Sequence, residues 1–199
     1  MRPALLLVDL QLDFLKPQAL EPPRRILLRG AARVLDGCRR RDVPVLHVRT
    51  LVAADGHDRM PHWKRSGDSR CVIGSRGAEA PAVLRERAGE AVYAKQYYSA
   101  FGNPALETDL RAADVDTVLL CGVHTHACVQ ATVLDAYQRG FRVVLVAGAI
   151  ASYAPLLARL TVDHLAGRAC EVLAPDAVWA LCDAPAASRR VPRRRARRA

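Results

Sequence analysis

The sequence predicts an α/β protein, a three-layer α/β/α sandwich around a six-stranded parallel sheet. Three observations carry that prediction. Six short β-rich runs recur along the chain, and most of the gaps between them hold segments with helical apolar spacing. Strands alternating with helices fold into a parallel sheet covered on both faces. The 199 residues, 51% of them hydrophobic, suit one domain with a full core.

The elements follow in order. Residues 4–8 read as a short buried strand. Residues 24–40 read as a helix, with apolar positions at Ile26, Leu27, Ala31, Val34, Leu35 and Cys38. Residues 44–48 form the second strand. Residues 50–80 show no clear periodicity and contain Gly56, Gly67, Gly74, Gly77 and Pro61, so a long functional loop or lid is expected there. A short helix is expected at 81–87 and the third strand at 91–94. Asn103 followed by Pro104 is an N-cap with an N1 proline, opening a helix to about Ala113. The fourth strand is 117–121, and the helix after it is 127–139. A fifth strand (141–147), a helix (155–166), a sixth strand (171–173) and a last helix (176–181) complete the domain, which is expected to span 1–185.

Chemistry-bearing residues fall at strand exits. Asp9 ends the first run, Lys95 follows the third, and TVLLCGVHTHAC (117–128) leads from the fourth strand through a glycine turn to Cys128. Ligands in open parallel sheets bind outside the carboxyl ends of the strands, so all three residues share that edge. A cysteine in the first helical turn meets unpaired N–H groups and the helix dipole, which favour a thiolate. A carboxylate, an ammonium and a thiol on one edge point to nucleophilic catalysis. With 27 arginines and only three lysines (Lys16, Lys64 and Lys95), a lysine kept at a strand exit suggests that an ammonium is wanted there.

Four segments together resemble the isochorismatase-like cysteine hydrolases, the superfamily of nicotinamidases and N-carbamoylsarcosine amidohydrolase. LLLVDLQLDF (5–14) is similar to the family's opening strand with its aspartate. CVIGSRGAE (71–79) is similar to its glycine-rich stretch, and GEAVYAKQYYSAF (89–101) to its lysine segment. CGVHTHACVQATVLDAYQRGFRVVLV (121–146) is similar to its nucleophile segment. The resemblance implies a Rossmann-like sheet of order 3-2-1-4-5-6, no cofactor, and a homo-oligomer, dimer or tetramer. It also implies that Asp9 takes the proton of Cys128, that Lys95 stabilises the thiolate, and that Cys128 attacks an amide, carbamoyl or ureido carbonyl of a small molecule to leave a thioester. The oxyanion hole would be the backbone N–H groups of His124 and Cys128, with the Val123–His124 peptide cis. In that strand order Lys95 must reach across the second strand to Asp9, about 10 Å at ~4.8 Å per strand. The chain departs from the family at Gly148, where relatives often carry an aspartate. The vinyl-ether cleavage of isochorismatase itself is disfavoured by the presence of Cys128.

Phe14, Trp63, Tyr97, Tyr98 and Phe101 are candidate pocket walls, with packing the plainer reading of each, and His124 reads as a pocket wall or as a polar turn residue. His126 reads as a tuner of the thiol or as a polar turn residue. Asp55, His57 and His62 offer the residue types of a nicotinamidase-like metal site, but a plain polar loop accounts for them and no metal is expected. Cys38, Cys121, Cys170 and Cys182 read as buried core thiols. Six cysteines without a C-x-x-C pair, in a chain whose start lacks a cleavable leader, point to reduced thiols and a cytoplasmic protein. No apolar run approaches the roughly 20 residues that span a bilayer. The net charge of +10 is concentrated at the end, where residues 189–199 hold seven arginines and no acid. The segment 186–199 is expected to be a disordered tail, and nucleic acid is expected as a partner only through it.

Overall fold

A computed structural model describes residues 1–16 and 20–183; the tail expected at 186–199 lies outside the described residues. The sheet has six parallel strands: β1 (Pro3–Val8), β2 (Val45–Thr50), β3 (Ala91–Lys95), β4 (Thr117–Val123), β5 (Arg142–Ala151) and β6 (Glu171–Leu173). Their order is β3-β2-β1-β4-β5-β6, as the resemblance implies. β1 lies at the centre, paired with β2 and β4, and Val8 sits level with both Val48 and Gly122.

Alternation along β1 builds two cores. Leu5 and Leu7 face α1 (Arg24–Arg39), which buries Leu27, Ala31, Val34 and Leu35 against them, with α6 (Pro175–Asp183) beside it. Ala4, Leu6 and Val8 face the opposite layer of α3 (Pro104–Ala112), α4 (Gln130–Gln138) and α5 (Pro155–Leu165). α1 lies close enough to β5 that a Cβ on Gly30 would stand 2.2 Å from the Gly148 carbonyl oxygen. α3 begins as its sequence predicts: the Asn103 side chain accepts from Ala105 N, and Pro104 opens the helix. Among the described residues no helix is long and apolar enough to cross a membrane.

Three expectations are corrected. The segment 50–80 is an organised excursion, with α2 (Pro61–Ser66), a tight turn at Arg76–Ala78 and a parallel bridge between Val52 and Val72. Asp13 anchors it by accepting from Cys71 N at 2.8 Å. The helix expected at 81–87 is only a single turn, Ala82–Leu84, closed off by Pro81 before it and extended backbone after it. The fifth strand does not stop at Ala147. It bulges, with Gly148 at φ 76°, and then resumes, so that Leu120 pairs with Leu145 but Gly122 with Ile150.

Candidate active site

Asp9, Lys95 and Cys128 meet at the carboxyl end of the sheet. Asp9 follows β1 in a left-handed conformation, φ 55°, which turns its side chain back along the strand end. Its N–H donates to the Val48 carbonyl. Lys95, the last residue of β3, spans β2 and donates to Asp9 Oδ2 at 2.7 Å. The reach across the second strand is made with help from that strand: Thr50, its last residue, stands between the two. Thr50 Oγ1 accepts from Lys95 Nζ at 2.8 Å and donates to Asp9 Oδ1 at 2.9 Å, while Thr50 N–H donates to the same carboxylate oxygen at 2.8 Å. Gln11 braces Thr50 from the far side, donating to its carbonyl and to that of Ala78.

Lys95 Nζ also donates to the Tyr97 carbonyl at 3.0 Å and reaches Cys128 Sγ at 3.5 Å. Three hydrogens thus serve four acceptors, and the sulfur is the longest contact. Both side chains of the Asp9–Lys95 pair are 1% exposed. Burial opposes the charge on Lys95, yet Asp9 and the Cys128 sulfur hold its ammonium above its ordinary range.

Cys128 does not sit at the first turn of a regular helix. Thr125–Val129 form a wide π-type turn ahead of α4, with Val129 N–H donating back to the His124 carbonyl. Thr132 fixes this turn to its surroundings, donating to the Cys128 carbonyl at 2.7 Å and accepting from Ala100 N–H. The expectation of a thiolate is corrected too. Burial, and then the Asp9 carboxylate, push the thiol well above its usual range, against the pull of Lys95. These surroundings favour the thiol over the thiolate.

A cavity of about 590 Å³ opens onto this cluster. Of the three residues only Cys128 lines it; Asp9 and Lys95 lie behind the sulfur. Phe14, Trp63, Tyr98 and His124 all line the cavity. Phe101 does not: it packs against Phe141 at 5.9 Å beneath Arg139, in the core under α3 and α4. Its turn directs it inward, so it is a packing residue. Tyr97 also stays out of the wall and contributes its carbonyl to Lys95 instead. His124 follows a cis Val123–His124 peptide. Its ring is held edge-on by Tyr153 at 4.6 Å and Phe14 at 5.8 Å. Burial, with His126 and Arg70 nearby, drops its pKa to about 4, and its Nδ1 is buried without a hydrogen-bond partner among the described residues. His126 Nδ1 lies 2.6 Å from Ser152 Oγ at the end of β5, and burial lowers the pKa of this imidazole as well.

Asp55 and His57 pair with each other at 2.8 Å on the surface, whereas His62 stacks on Tyr98 in the cavity wall. These residues do not converge, and among the described residues no three of His, Cys, Asp and Glu come together to hold a metal ion. All six cysteines are free; Cys38, Cys121 and Cys170 are buried as expected, whereas Cys182 is only half-buried.

Sequence reasoning missed Thr50, Arg70, Asp68 and Tyr153. Thr50 had a legible signal, since it follows an apolar run as Asp9 and Lys95 do. Arg70, Asp68 and Tyr153 had none, because they reach the cavity through the excursion after β2 and the bulged end of β5.

Comparison with known proteins agrees with this geometry. The family model described as the isochorismatase domain matches residues 3–176. A probable isochorismatase of Pseudomonas chlororaphis is 29% identical over 184 residues, covering 89% of this chain and 84% of the relative. Maleamate amidohydrolase of Pseudomonas putida is 34% identical over 155 residues, covering 73% and 70%. Among solved structures, N-carbamoylsarcosine amidase of Thermoplasma acidophilum superposes with a TM-score of 0.69 at 28% identity, covering 88% and 98%.

Proposed function

Since the chain belongs to the isochorismatase domain family, we propose that it is the cysteine-dependent kind of hydrolase, cleaving a C–N bond of a small amide, carbamoyl or ureido compound through a thioester on Cys128. One observation carries the reading: Cys128 Sγ lines the cavity and lies 3.5 Å from Lys95 Nζ, which is 2.7 Å from the Asp9 carboxylate. Two of the relatives above bear the names of amide-cleaving enzymes. A vinyl-ether hydrolysis needs no thiol, so Cys128 in this setting favours the amidase chemistry.

The steps follow from the protonation states. Cys128 gives its proton to Asp9 as the sulfur attacks the carbonyl carbon. Negative charge moves to the carbonyl oxygen, where the backbone N–H groups of His124 and Cys128 stabilise it. The C–N bond then breaks, and the departing nitrogen takes the proton from Asp9, leaving an acyl thioester. Water attacks that thioester while giving a proton to Asp9. The C–S bond breaks, the acid leaves, and Asp9 returns the proton to the sulfur. Lys95 stays protonated throughout and compensates charge on whichever partner is anionic. This makes the sulfur anionic only when the carbonyl is in place, so Asp9 is a general base acting at the moment of attack.

The test combines ammonia release over a panel of small amides and ureas with mass detection of an acyl adduct on Cys128. Wild-type protein should release ammonia and show the adduct with its substrate, and Cys128→Ala should do neither. Hydrolysis that persists at the wild-type rate in Cys128→Ala ends the proposal.

A further inference from the structure

Among the described residues, Arg70 is the one arginine or lysine that lines the cavity. Its backbone is pinned on both sides. Arg70 N–H donates to Asp68 Oδ1 at 3.0 Å, and the next residue, Cys71, takes a left-handed φ of 57° while its N–H donates to Asp13 and its carbonyl accepts from Val52. The side chain is fixed as well. Asp68 accepts from Nε and Nη2, and the guanidinium carbon lies 5.4 Å from the centroid of Phe14 and 5.3 Å from that of Trp63.

This arrangement occupies only one edge of a planar group with five donors. Asp68 takes the Nε–Nη2 edge, whereas Nη1 has no partner among the described residues. The Nη1–Nη2 edge remains, and it too can grip a carboxylate through two parallel hydrogen bonds. The side chain keeps 38% of its surface exposed, and among the described residues Asp68 is the only carboxylate that lines the cavity. Asp68 is therefore a brace that aims the guanidinium, and a second anion can still be received. Apart from Asp68 the wall is uncharged, with Phe14, Trp63, Met60 and Tyr153 supplying apolar surface that strengthens electrostatic contacts made beside it.

We infer that Arg70 anchors a carboxylate carried by the substrate, so that the preferred compounds are small amide acids rather than neutral amides. The inference rests on the amidohydrolase reading for the amide half of the substrate, and on Arg70 alone for the acid half. Asp68 and the rings of Phe14 and Trp63 are positioning groups for the anchor.

The matched probes are malonamic, succinamic and glutaramic acids, each set against its neutral diamide. Wild-type enzyme should favour at least one of the acids in kcat/KM, and Arg70→Met should cut the acid-to-diamide ratio by about 30-fold or more, chiefly through KM. Arg70→Lys should recover part of that loss. Calorimetric titration of the Cys128→Ala protein with the same acids reads binding without turnover; the affinity should fall by a similar factor when Arg70→Met is added. Ammonia release with no preference for acids, or a ratio unmoved in Arg70→Met, overturns the anchor and leaves the amidohydrolase reading intact. Arg70-dependent binding without any hydrolysis or adduct would do the reverse. No binding of any acid to the Cys128→Ala protein also overturns the anchor.

Discussion

Replacing Lys95 by methionine keeps the length of the side chain and removes its charge. The structure sets the size of the effect. Lys95 and Asp9 are 1% exposed, the contact between them is 2.7 Å, and Thr50 also donates to the carboxylate from its N–H and its hydroxyl. Removing one member of such a pair leaves a buried uncompensated charge, at about 3–5 kcal/mol. Asp9→Asn strands the ammonium in the same way. Removing both charges together avoids either penalty, so the double variant Asp9→Asn/Lys95→Met should cost less than either single one, with a coupling of about 3 kcal/mol. Urea unfolding followed by tryptophan fluorescence measures all four corners of the cycle. Single costs below about 1 kcal/mol, the size seen for exposed pairs, or a double variant whose loss is the sum of the singles, would refute the argument. All three variants should lack hydrolase activity, so a stable double variant would also show that the ion pair serves chemistry rather than the fold.

Three further outcomes are expected. Glu90 is held by Arg39 (2.7 and 2.8 Å), His47 (2.9 Å) and Arg87 N–H (3.0 Å), and although desolvation opposes it these partners bring its pKa from 4.5 to about 2. A depressed carboxyl pKa stabilises the fold above the unfolded value and loses that contribution as pH falls through the folded one. Glu90→Gln should therefore cost roughly 3 kcal/mol at pH 7, and the gap to wild type should narrow from about pH 4.5 downward; a gap that is flat between pH 7 and pH 3 in urea unfolding would contradict this. Gly122→Ala would bring a Cβ to 2.2 Å from the Val8 carbonyl oxygen, on backbone that cannot easily yield. It should cost about 3 kcal/mol or more in thermal unfolding and reduce activity by displacing Asp9, whereas an unchanged melting temperature would show that β1 and β4 separate freely. His124→Phe keeps the ring contacts with Phe14 and Tyr153 and removes a buried nitrogen that lacks a partner among the described residues, so stability should hold or rise by about 1 kcal/mol; a clear fall in melting temperature would mean that the nitrogen is satisfied by bound water.

The strand–helix alternation was legible because buried strands and amphipathic helices write their periods directly into sequence. Asp9, Lys95 and Cys128 were legible for a related reason: each follows such a run, and a parallel sheet gathers strand exits on one edge. The strand order came only with the family resemblance, since local periodicity carries no information about which strands are neighbours. The direction in which the Cys128 pKa is shifted was not legible because helix-end electrostatics can be inferred locally, whereas burial is a property of the finished fold. Phe101 was misassigned for the same reason: proximity in sequence to Lys95 says nothing about which way a turn points its ring. Arg70 escaped notice because the excursion after β2 has no period to read, and a bridge between Val52 and Val72 brings it to the cavity.

The adjacency of β3, β2, β1 and β4 has a consequence for how this protein becomes competent. Residues 9, 50, 95 and 128 come from four neighbouring strand ends, and no shorter piece of chain contains them all. Every contact between them closes a loop of more than thirty residues. Local structure can form early during refolding, but such distant pairings come late. Turnover should consequently appear in one step, after most helical signal has returned, and a fragment ending before β4 should recover structure without ever recovering chemistry.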